Sequence, residues 1–236
     1  MVQKKLLLIT LVLGGLVSAV SLSATPKNLS DVSVEDVVQE VTRVYRDGQQ
    51  MTGVCWLPQE VFQVLLVTDP ILTQRYTEGT FKDYCVLLVS RAKINVDRQC
   101  EYLTRAQLDE GLTVTFVSTD GQEYILQRVQ EVDPVAEHFL ALVAPTLASG
   151  MGDVLRHFSF FVFSDADGNG RRIVSPYRGG QLRVNFAATG GLPAVAVEFD
   201  TLLDSLHVPR ICPICQKPMH VSWKFCPWCG KAIPGN

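Results

Sequence analysis

The amino-acid sequence predicts an α+β domain of interleaved helices and antiparallel strands, followed by a small cysteine-dependent module at the C-terminus. Three observations support this class. Apolar residues recur at helical spacing from Val34 to Tyr45, the spacing becomes that of strands from Tyr84 onward, and two Cys-x-x-Cys pairs lie near the C-terminus. The chain has 236 residues, of which 47% are hydrophobic and 19% charged, which is typical of a globular protein. We place the α+β domain at residues 30–205 and the module at residues 208–233.

The N-terminus has the layout of a secretory signal peptide or an N-terminal membrane anchor. Lys4 and Lys5 precede an apolar run from Leu6 to Val20, and small residues follow it. The stretch 6–24 has 19 residues, close to the ~20 that a membrane-spanning helix needs. We therefore expect residues 1–24 to direct export. The rest of the chain is then extracytoplasmic: secreted, periplasmic, or anchored by the N-terminal helix.

Helices are predicted where apolar residues repeat every three or four positions. Ser33 is a candidate N-cap with an acid three residues later, and the helix it opens is expected to run to Gly48. A further helix is predicted to follow Asp133-Pro134 and to kink or end at Pro145. Two shorter helices are predicted over residues 58–68 and 71–76.

Strands are predicted where the period is two or where a short apolar run is bounded by turn residues. Asp120-Gly121 is a strong hairpin signal between two of them. The predicted strands are 84–89, 94–102, 112–117, 124–129, 158–163, 172–174, 182–186 and 195–199.

A core is expected where these helices and strands turn their apolar faces together. Its predicted members are Val37, Val41, Phe139, Leu142, Phe160, Val162, Val184 and Val197. If Phe160 is fully buried, its truncation to Ala should cost ~3–5 kcal/mol.

The C-terminal cysteines have the spacing of a metal site. Cys212 and Cys215 form the first Cys-x-x-Cys pair, and Cys226 and Cys229 form the second, ten residues later. Each pair makes a tight turn that directs two thiolates to one point, and four such soft ligands in a tetrahedron suit Zn²⁺. So short a module has little core of its own, so metal binding must supply most of its folding free energy.

This pattern resembles the short four-cysteine zinc-ribbon family, with Cys-Pro-Ile-Cys as its first knuckle and Phe-Cys-Pro-Trp-Cys-Gly as its second. The resemblance covers Arg210 to Ala232 and implies a small zinc-binding module that serves structural stabilisation or docking. Gly230 follows the second knuckle as the family pattern requires, whereas Gln216 stands at that position in the first. The rest of the chain resembles uncharacterised bacterial envelope proteins.

Other uses of these cysteines stay open from sequence. In an exported protein the two pairs could be redox dithiols or structural disulfides, and iron binds to similar knuckles. Trp223 and Phe225 are expected to cover the metal from one side. His220, between the two knuckles, is interpreted as an exposed loop residue rather than a ligand.

Two further groups are candidate sites. The segment 165–170, Asp-Ala-Asp-Gly-Asn-Gly, resembles the start of a calcium loop. Pro176 replaces the Glu expected at the twelfth position, so a solvated turn is the better interpretation. Cys85 and Cys100 could form a disulfide if the strands they lie on pair, with Cys55 left over; three buried free thiols are the alternative.

The function predicted from these features is that of an exported or membrane-anchored protein whose zinc ribbon serves stability or protein docking. An extracytoplasmic enzyme or thiol-redox protein is the alternative, although no motif assigns it catalytic residues. A net charge of −3 argues against a basic nucleic-acid-binding surface. From His207 onward, however, the chain has no Asp or Glu and has four basic residues. The ribbon is therefore expected to meet an acidic protein surface, and the N-terminal segment a membrane.

Overall fold

A computed structural model of the chain describes residues 24–66, 79–150 and 157–233, with side chains undescribed for 144–150. The predicted leader and the predicted helix over 71–76 lie outside the described residues. Strands account for 38% of the structure and helices for 19%, so the α+β fold is dominated by strands. Among the described helices, none has both the length and the apolar character needed to cross a membrane.

The described residues contain four α-helices and two short 3-10 helices, Leu29–Asp31 and Asp204–Leu206, together with antiparallel strands. The α-helices are α1 (Val34–Val41), α2 (Gln59–Leu65), α3 (Arg105–Asp109) and α4 (Pro134–Gly150). The strands are β1 (Thr42–Asp47), β2 (Gln50–Leu57), β3 (Tyr84–Ile94), β4 (Cys100–Tyr102), β5 (Leu112–Ser118), β6 (Glu123–Ile125), β7 (Ser159–Ser164), β8 (Gly180–Phe186), β9 (Val195–Asp200), β10 (Arg210–Ile211) and β11 (Pro218–Met219).

Two antiparallel sheets form the body of the protein. In the first sheet, β1 pairs with β2 and β2 with β3; the other edge of β3 pairs with β7 along its first half and with β4 at its end. In the second sheet the order is β6-β5-β8-β9. The strands β10 and β11 pair only with each other and belong to the C-terminal module.

One continuous hydrophobic core includes side chains from both sheets and from α1, α2 and α4. At one end of this core three phenylalanine rings pack together: Phe62 lies 4.6 Å from Phe81 and 5.3 Å from Phe139, and Phe81 lies 5.3 Å from Phe139, centroid to centroid. All three are fully buried. The helices are therefore held by tertiary packing of their apolar faces rather than by propensity alone.

The first predicted helix is too long. The Ser33 hydroxyl accepts a hydrogen bond from the Asp36 N–H, as predicted, but the helix ends at Val41 and the chain continues as β1. The segment Thr42–Tyr45 is rich in β-branched and aromatic residues, which favour a strand once a partner is present. That partner is β2, all of whose residues are buried. The Gly48 residue, at φ +44°, lies in the hairpin turn between them.

The strands predicted over 84–89, 112–117, 158–163, 182–186 and 195–199 are confirmed, and the one predicted over 124–129 is reduced to β6. The hairpin at Asp120-Gly121 forms, with Gly121 at φ +84° donating to the Ser118 carbonyl at 2.9 Å. The predicted return strand 94–102 is reduced to β4, because Ile94 still belongs to β3. Residues 172–174 form no strand in the structure; Arg172 makes a single bridge to Ala166. The Arg172 side chain takes part instead in a buried ion-pair network described below.

Six of the eight predicted core residues are buried, and two are not. Leu142 is 51% exposed, because it lies on the outer face of α4. Phe160 is only partly buried and packs edge-on against Phe158 at 5.3 Å. Its neighbour Phe161 is fully buried instead. Val162, on the same face of β7 as Phe160, is buried as predicted, and Phe161 and Phe163 on the other face are buried too, so only the burial predicted for Phe160 is wrong.

We expect Phe161→Ala to lower the free energy of unfolding by about 3–5 kcal/mol, since it removes a fully buried ring and leaves a cavity. The matched change Phe160→Ala, one position earlier in the same strand, should cost clearly less, about 1–2 kcal/mol. Urea unfolding of the two variants measures both values. Equal losses would contradict the difference in burial between these two rings.

The proposed disulfide between Cys85 and Cys100 is wrong. Cys85 lies opposite Phe163, and Cys100 lies opposite Ile94, which is nine residues farther along β3. At about 3.3 Å per residue the two sites are roughly 30 Å apart along the strand, whereas a disulfide needs Cα atoms within ~7 Å. All described cysteines are free thiols; Cys55 and Cys85 are buried and Cys100 is exposed.

Candidate metal centre

The four C-terminal cysteines converge on one point. The Sγ atoms of Cys212 and Cys229 lie 3.7 Å apart, those of Cys215 and Cys226 lie 3.5 Å apart, and all four are within 4.8 Å of one another. In a tetrahedral Zn(Cys)₄ site with metal–sulfur bonds of ~2.3 Å, the sulfur–sulfur edges are roughly 3.8 Å. These four thiols could therefore hold a metal ion.

Two knuckles with the same hydrogen-bond pattern position these thiols. In the first, the Cys212 N–H donates to the Lys217 carbonyl at 3.0 Å and the Gln216 N–H donates to the Cys212 carbonyl at 2.9 Å. In the second, the Cys226 N–H donates to the Lys231 carbonyl and the Gly230 N–H to the Cys226 carbonyl, each at 2.8 Å. Each Cys-x-x-Cys pair therefore forms its turn through hydrogen bonds within its own knuckle, without contacts from the other knuckle.

The residue after each knuckle adopts a left-handed backbone conformation. Gly230 has φ +70° and Gln216 has φ +57°. The glycine adopts this conformation without strain, whereas a residue with a Cβ loses roughly 1–2 kcal/mol. The sequence difference between the two knuckles is therefore a difference in strain and not in geometry.

We expect Gln216→Gly to strengthen metal binding by about two- to fivefold, because it relieves roughly 0.5–1 kcal/mol of strain in a module whose folding is coupled to the metal. The reciprocal change Gly230→Gln should weaken binding by a similar factor or more. Competition against a chromophoric chelator measures both. If both changes weaken metal binding, the Gln216 side chain itself contributes to binding, and the contribution exceeds the backbone strain that glycine would relieve.

Backbone N–H groups stabilise the thiolate form. The N–H groups of Cys215 and then Ile214 hydrogen-bond to the Cys212 sulfur and lower its pKa to about 6 against the opposing effect of desolvation. No Asp or Glu lies between His207 and Asn236, while Arg210, Lys217, Lys224 and Lys231 do. Both effects favour a deprotonated sulfur at Cys212, which is the form that binds metal, whereas the pKa values of Cys215 and Cys229 are raised in the cluster.

The interior of this ribbon is lined by Met219 and Ile233 rather than by the aromatic residues. Met219 is 3% exposed and packs with Cys212 and Cys226, and Ile233 adjoins them. Trp223 and Phe225, expected to cover the metal, are 38% and 62% exposed. Trp223 stacks on His220 and lies 5.8 Å from Trp228. The apolar aromatic side chains of the ribbon thus face outward.

The ribbon contacts the body through a polar seam. The Val221 N–H donates to the Asp204 carboxylate at 2.7 Å, and Val221 itself is buried. His220 is half-buried, with its Nδ1 atom 3.5 Å from the same carboxylate and 2.9 Å from the Ser222 hydroxyl. His220 therefore lies in a loop, as expected, but its side chain is 34% exposed and faces Asp204, so the predicted exposure needs correction. Its position could not be predicted because Asp204 belongs to a different unit of the chain.

The base of the ribbon also contacts the first described residues of the chain. The Val208 N–H donates to the Thr25 carbonyl, and the Lys27 N–H to the Leu206 carbonyl, both at 2.8 Å. Between them, His207 is buried and its Nδ1 atom lies 2.7 Å from the Leu203 carbonyl. The chain therefore enters the body and leaves it for the ribbon at the same place.

A second group of metal-ligating side chains lies at this seam, formed by Glu40, Asp204 and His220 within 4.8 Å of one another. Their hydrogen-bonding capacity is already used in part. Both Glu40 oxygens accept from Ser205, the shorter bond being 2.7 Å from its hydroxyl, and Asp204 accepts from Val221. We interpret this group as the connection between ribbon and body.

The segment that resembles a calcium loop is a turn with an ion-pair network behind it. Asp167 accepts from the backbone of Asn169 and Arg171, which closes the turn. Asp165 is buried and accepts from the Val174 N–H at 2.6 Å and from Arg172 Nε at 3.1 Å. These carboxylates are occupied by protein donors, so the structure supports the turn and not a calcium site.

Arg172 joins this loop to α2. Its guanidinium forms a two-point contact with the Glu60 carboxylate, at 2.6 and 3.1 Å. Burial raises the pKa of Asp165 to about 6, against the Val174 N–H and Arg172, which lower it. Sequence reasoning missed this network, because Glu60 and Arg172 are separated by 112 positions.

Comparison with family models and with curated proteins finds no match. Among solved structures, a DUF4426 family protein from Pseudomonas aeruginosa PAO1 aligns with 68% of this chain and 92% of its own length. The sequence identity is 12% and the TM-score 0.30, which is too low to support any inference.

The fold and the site by themselves define the class. The protein is a strand-dominated α+β body with a C-terminal four-cysteine ribbon whose thiols could hold a metal ion.

Proposed function

We propose that the ribbon binds one Zn²⁺ through Cys212, Cys215, Cys226 and Cys229, and that it is a structural and docking module of an extracytoplasmic protein. The observation that carries the proposal is the convergence of four thiols with sulfur–sulfur edges of 3.5 and 3.7 Å. Zn²⁺ supplies no redox chemistry in a closed site of this kind, and its role is to hold the two knuckles together.

The zinc ion would also hold the seam in place. Val221 and His220 lie between the two knuckles, so their contacts with Asp204 form only when the knuckles are closed. Export of the chain is supported by Lys4, Lys5 and the apolar run after them. A basic ribbon on a chain of net charge −3 is suited to an acidic surface.

The test is to purify the full chain under reducing and under non-reducing conditions and to measure metal content and free thiols in both. One zinc per chain, with the four ribbon thiols protected from alkylation until a chelator is added, is the expected result. Iron in place of zinc, or no metal in the reduced protein, would overturn the assignment.

Thiol-redox activity is the second candidate, since the lowered pKa of Cys212 would also favour a reactive thiolate. The structure makes a distinct prediction for it. The shortest sulfur–sulfur distances join Cys212 with Cys229 and Cys215 with Cys226. Oxidation would therefore link the two knuckles to each other, and peptide mapping of the non-reduced protein distinguishes this outcome from a zinc site.

A further inference from the structure

The ribbon exposes large apolar side chains together with basic ones. Trp223 and Trp228 lie 5.8 Å apart and are 38% and 48% exposed, and the Lys217 Nζ atom lies 5.7 Å from the Trp228 ring. We call these three residues the tryptophan surface. Four more apolar side chains of the ribbon region are 48% exposed or more: Val208, Ile211, Ile214 and Phe225. So many exposed apolar groups on so small a unit indicate a contact surface.

The chemistry of this surface limits the kinds of partner that it suits. Tryptophan combines an apolar ring with an N–H donor and is enriched where hydrocarbon meets lipid headgroups. The region from His207 to Asn236 contains basic residues and no acidic ones. Each basic side chain near an anionic bilayer strengthens association by about fivefold. An acidic protein surface would suit the lysines and the tryptophans as well, so the choice between the two partners depends on where the ribbon lies.

The position of the ribbon favours the bilayer. Val208, four residues before the first ligand cysteine, hydrogen-bonds to Thr25. The apolar run of the N-terminal segment ends at Val20, and the five residues from there to Thr25 span at most ~18 Å. If that segment lies in a bilayer, the base of the ribbon is held within this distance of the lipid headgroups.

We propose that the tryptophan surface binds the surface of an anionic lipid bilayer and orients the body against it. The proposal rests on the extracytoplasmic location given under the proposed function. Attachment through the N-terminal segment makes this contact intramolecular, so a weak individual affinity is sufficient for high occupancy.

The experiment uses the full chain, with its zinc content measured, in vesicles of phosphatidylcholine alone or with about 30 mol % phosphatidylglycerol. Brominated acyl chains quench tryptophan fluorescence on contact. Trp56 is 1% exposed in the core and supplies a constant background, which the double variant Trp223→Phe, Trp228→Phe measures. Quenching of the ribbon tryptophans in the anionic vesicles, and its loss at high salt, is the expected result.

Charge-reversal variants complete the design. Lys217→Glu together with Lys224→Glu should lower the quenched fraction at least about twofold. Lys82→Glu together with Lys93→Glu, at two exposed positions of the body, is the control with the same change of charge and should leave quenching unchanged. Zinc-loaded protein whose ribbon tryptophans stay unquenched in both vesicles overturns the lipid proposal and leaves the zinc site standing. If polyglutamate changes the fluorescence of these tryptophans and anionic vesicles do not, the lipid proposal is also overturned, and the result indicates an acidic protein. Protein that holds no zinc refutes the proposed function instead.

Discussion

Replacement of Cys226 by serine is expected to release the metal and unfold the ribbon while the body stays folded. Cys226 is 1% exposed and its sulfur lies 3.5 Å from that of Cys215, so a hydroxyl in its place removes one of the four thiols that we propose as ligands. Structural zinc sites of this kind contribute on the order of 10–16 kcal/mol of binding free energy, which is also the folding free energy of the module. We expect metal content below a tenth of the original after dialysis against a weak chelator.

Hydrogen exchange locates the consequence of this change. Backbone N–H groups from about Arg210 onward should lose their protection, and those of β2 and β3 should keep theirs. The main unfolding transition should shift by no more than about 1–2 kcal/mol, because the main interaction broken at the seam is the hydrogen bond from Val221 to Asp204. Cys100→Ser, at an exposed cysteine outside the cluster, is the control and should change neither quantity. Collapse of the whole protein in Cys226→Ser would show that the ribbon is part of the core of the body.

The second large effect is expected at Arg172. Its side chain is 22% exposed and is the shared partner of Glu60 and Asp165, whose side chains are 10% and 1% exposed. Arg172→Met keeps an apolar stem at this position and removes the guanidinium, which leaves two buried carboxylates without their counter-ion. We expect this change to lower the free energy of unfolding by about 3–5 kcal/mol, measured by chemical denaturation at pH 8.

The neighbouring residue supplies the control. Arg171 pairs with Asp167 but is 77% exposed, so Arg171→Met should cost less than about 1 kcal/mol. Similar losses in the two variants would show that the buried network contributes no more than a surface ion pair.

The pH dependence of the Arg172→Met variant has a definite sign. Burial already raises the pKa of Asp165 to about 6 in the folded protein, above its ordinary value of 3.8. A carboxyl whose pKa is higher in the folded state favours folding at low pH, and this contribution is lost as pH rises through that pKa. Loss of Arg172 raises the pKa further. The loss of unfolding free energy in the variant, relative to the original protein, should therefore shrink from pH 8 to pH 5 as Asp165 becomes neutral. A loss that grows on acidification would refute this.

Elements with strong local determinants could be predicted from the sequence. The cap at Ser33 and the hairpin turn at Gly121 depend on residues within four positions of one another. The same is true of each Cys-x-x-Cys knuckle, whose hydrogen bonds join residues four or five positions apart. Short-range geometry of this kind is set by the backbone preferences of a few residues, so it survives in any tertiary context.

Elements that depend on a distant partner could not be predicted. The segment Thr42–Tyr45 has helical spacing, yet it is a strand because β2 offers it a ladder of hydrogen bonds. The deeper burial of Phe161 rather than Phe160 depends on the way β7 lies against β3. In both cases tertiary pairing outweighs a local preference of only a few tenths of a kcal/mol per residue.

The sequence by itself determined the positions of the four cysteines that cluster and the basic, acid-free composition of the ribbon, because both are properties of a short stretch of chain. Only the tertiary structure decided what surrounds them. It brought Val221 to Asp204, Val208 to Thr25 and Arg172 to Glu60. The last pair lies 112 positions apart. Contacts between distant residues depend on how the sheets pack, and no spacing rule in the sequence encodes that packing.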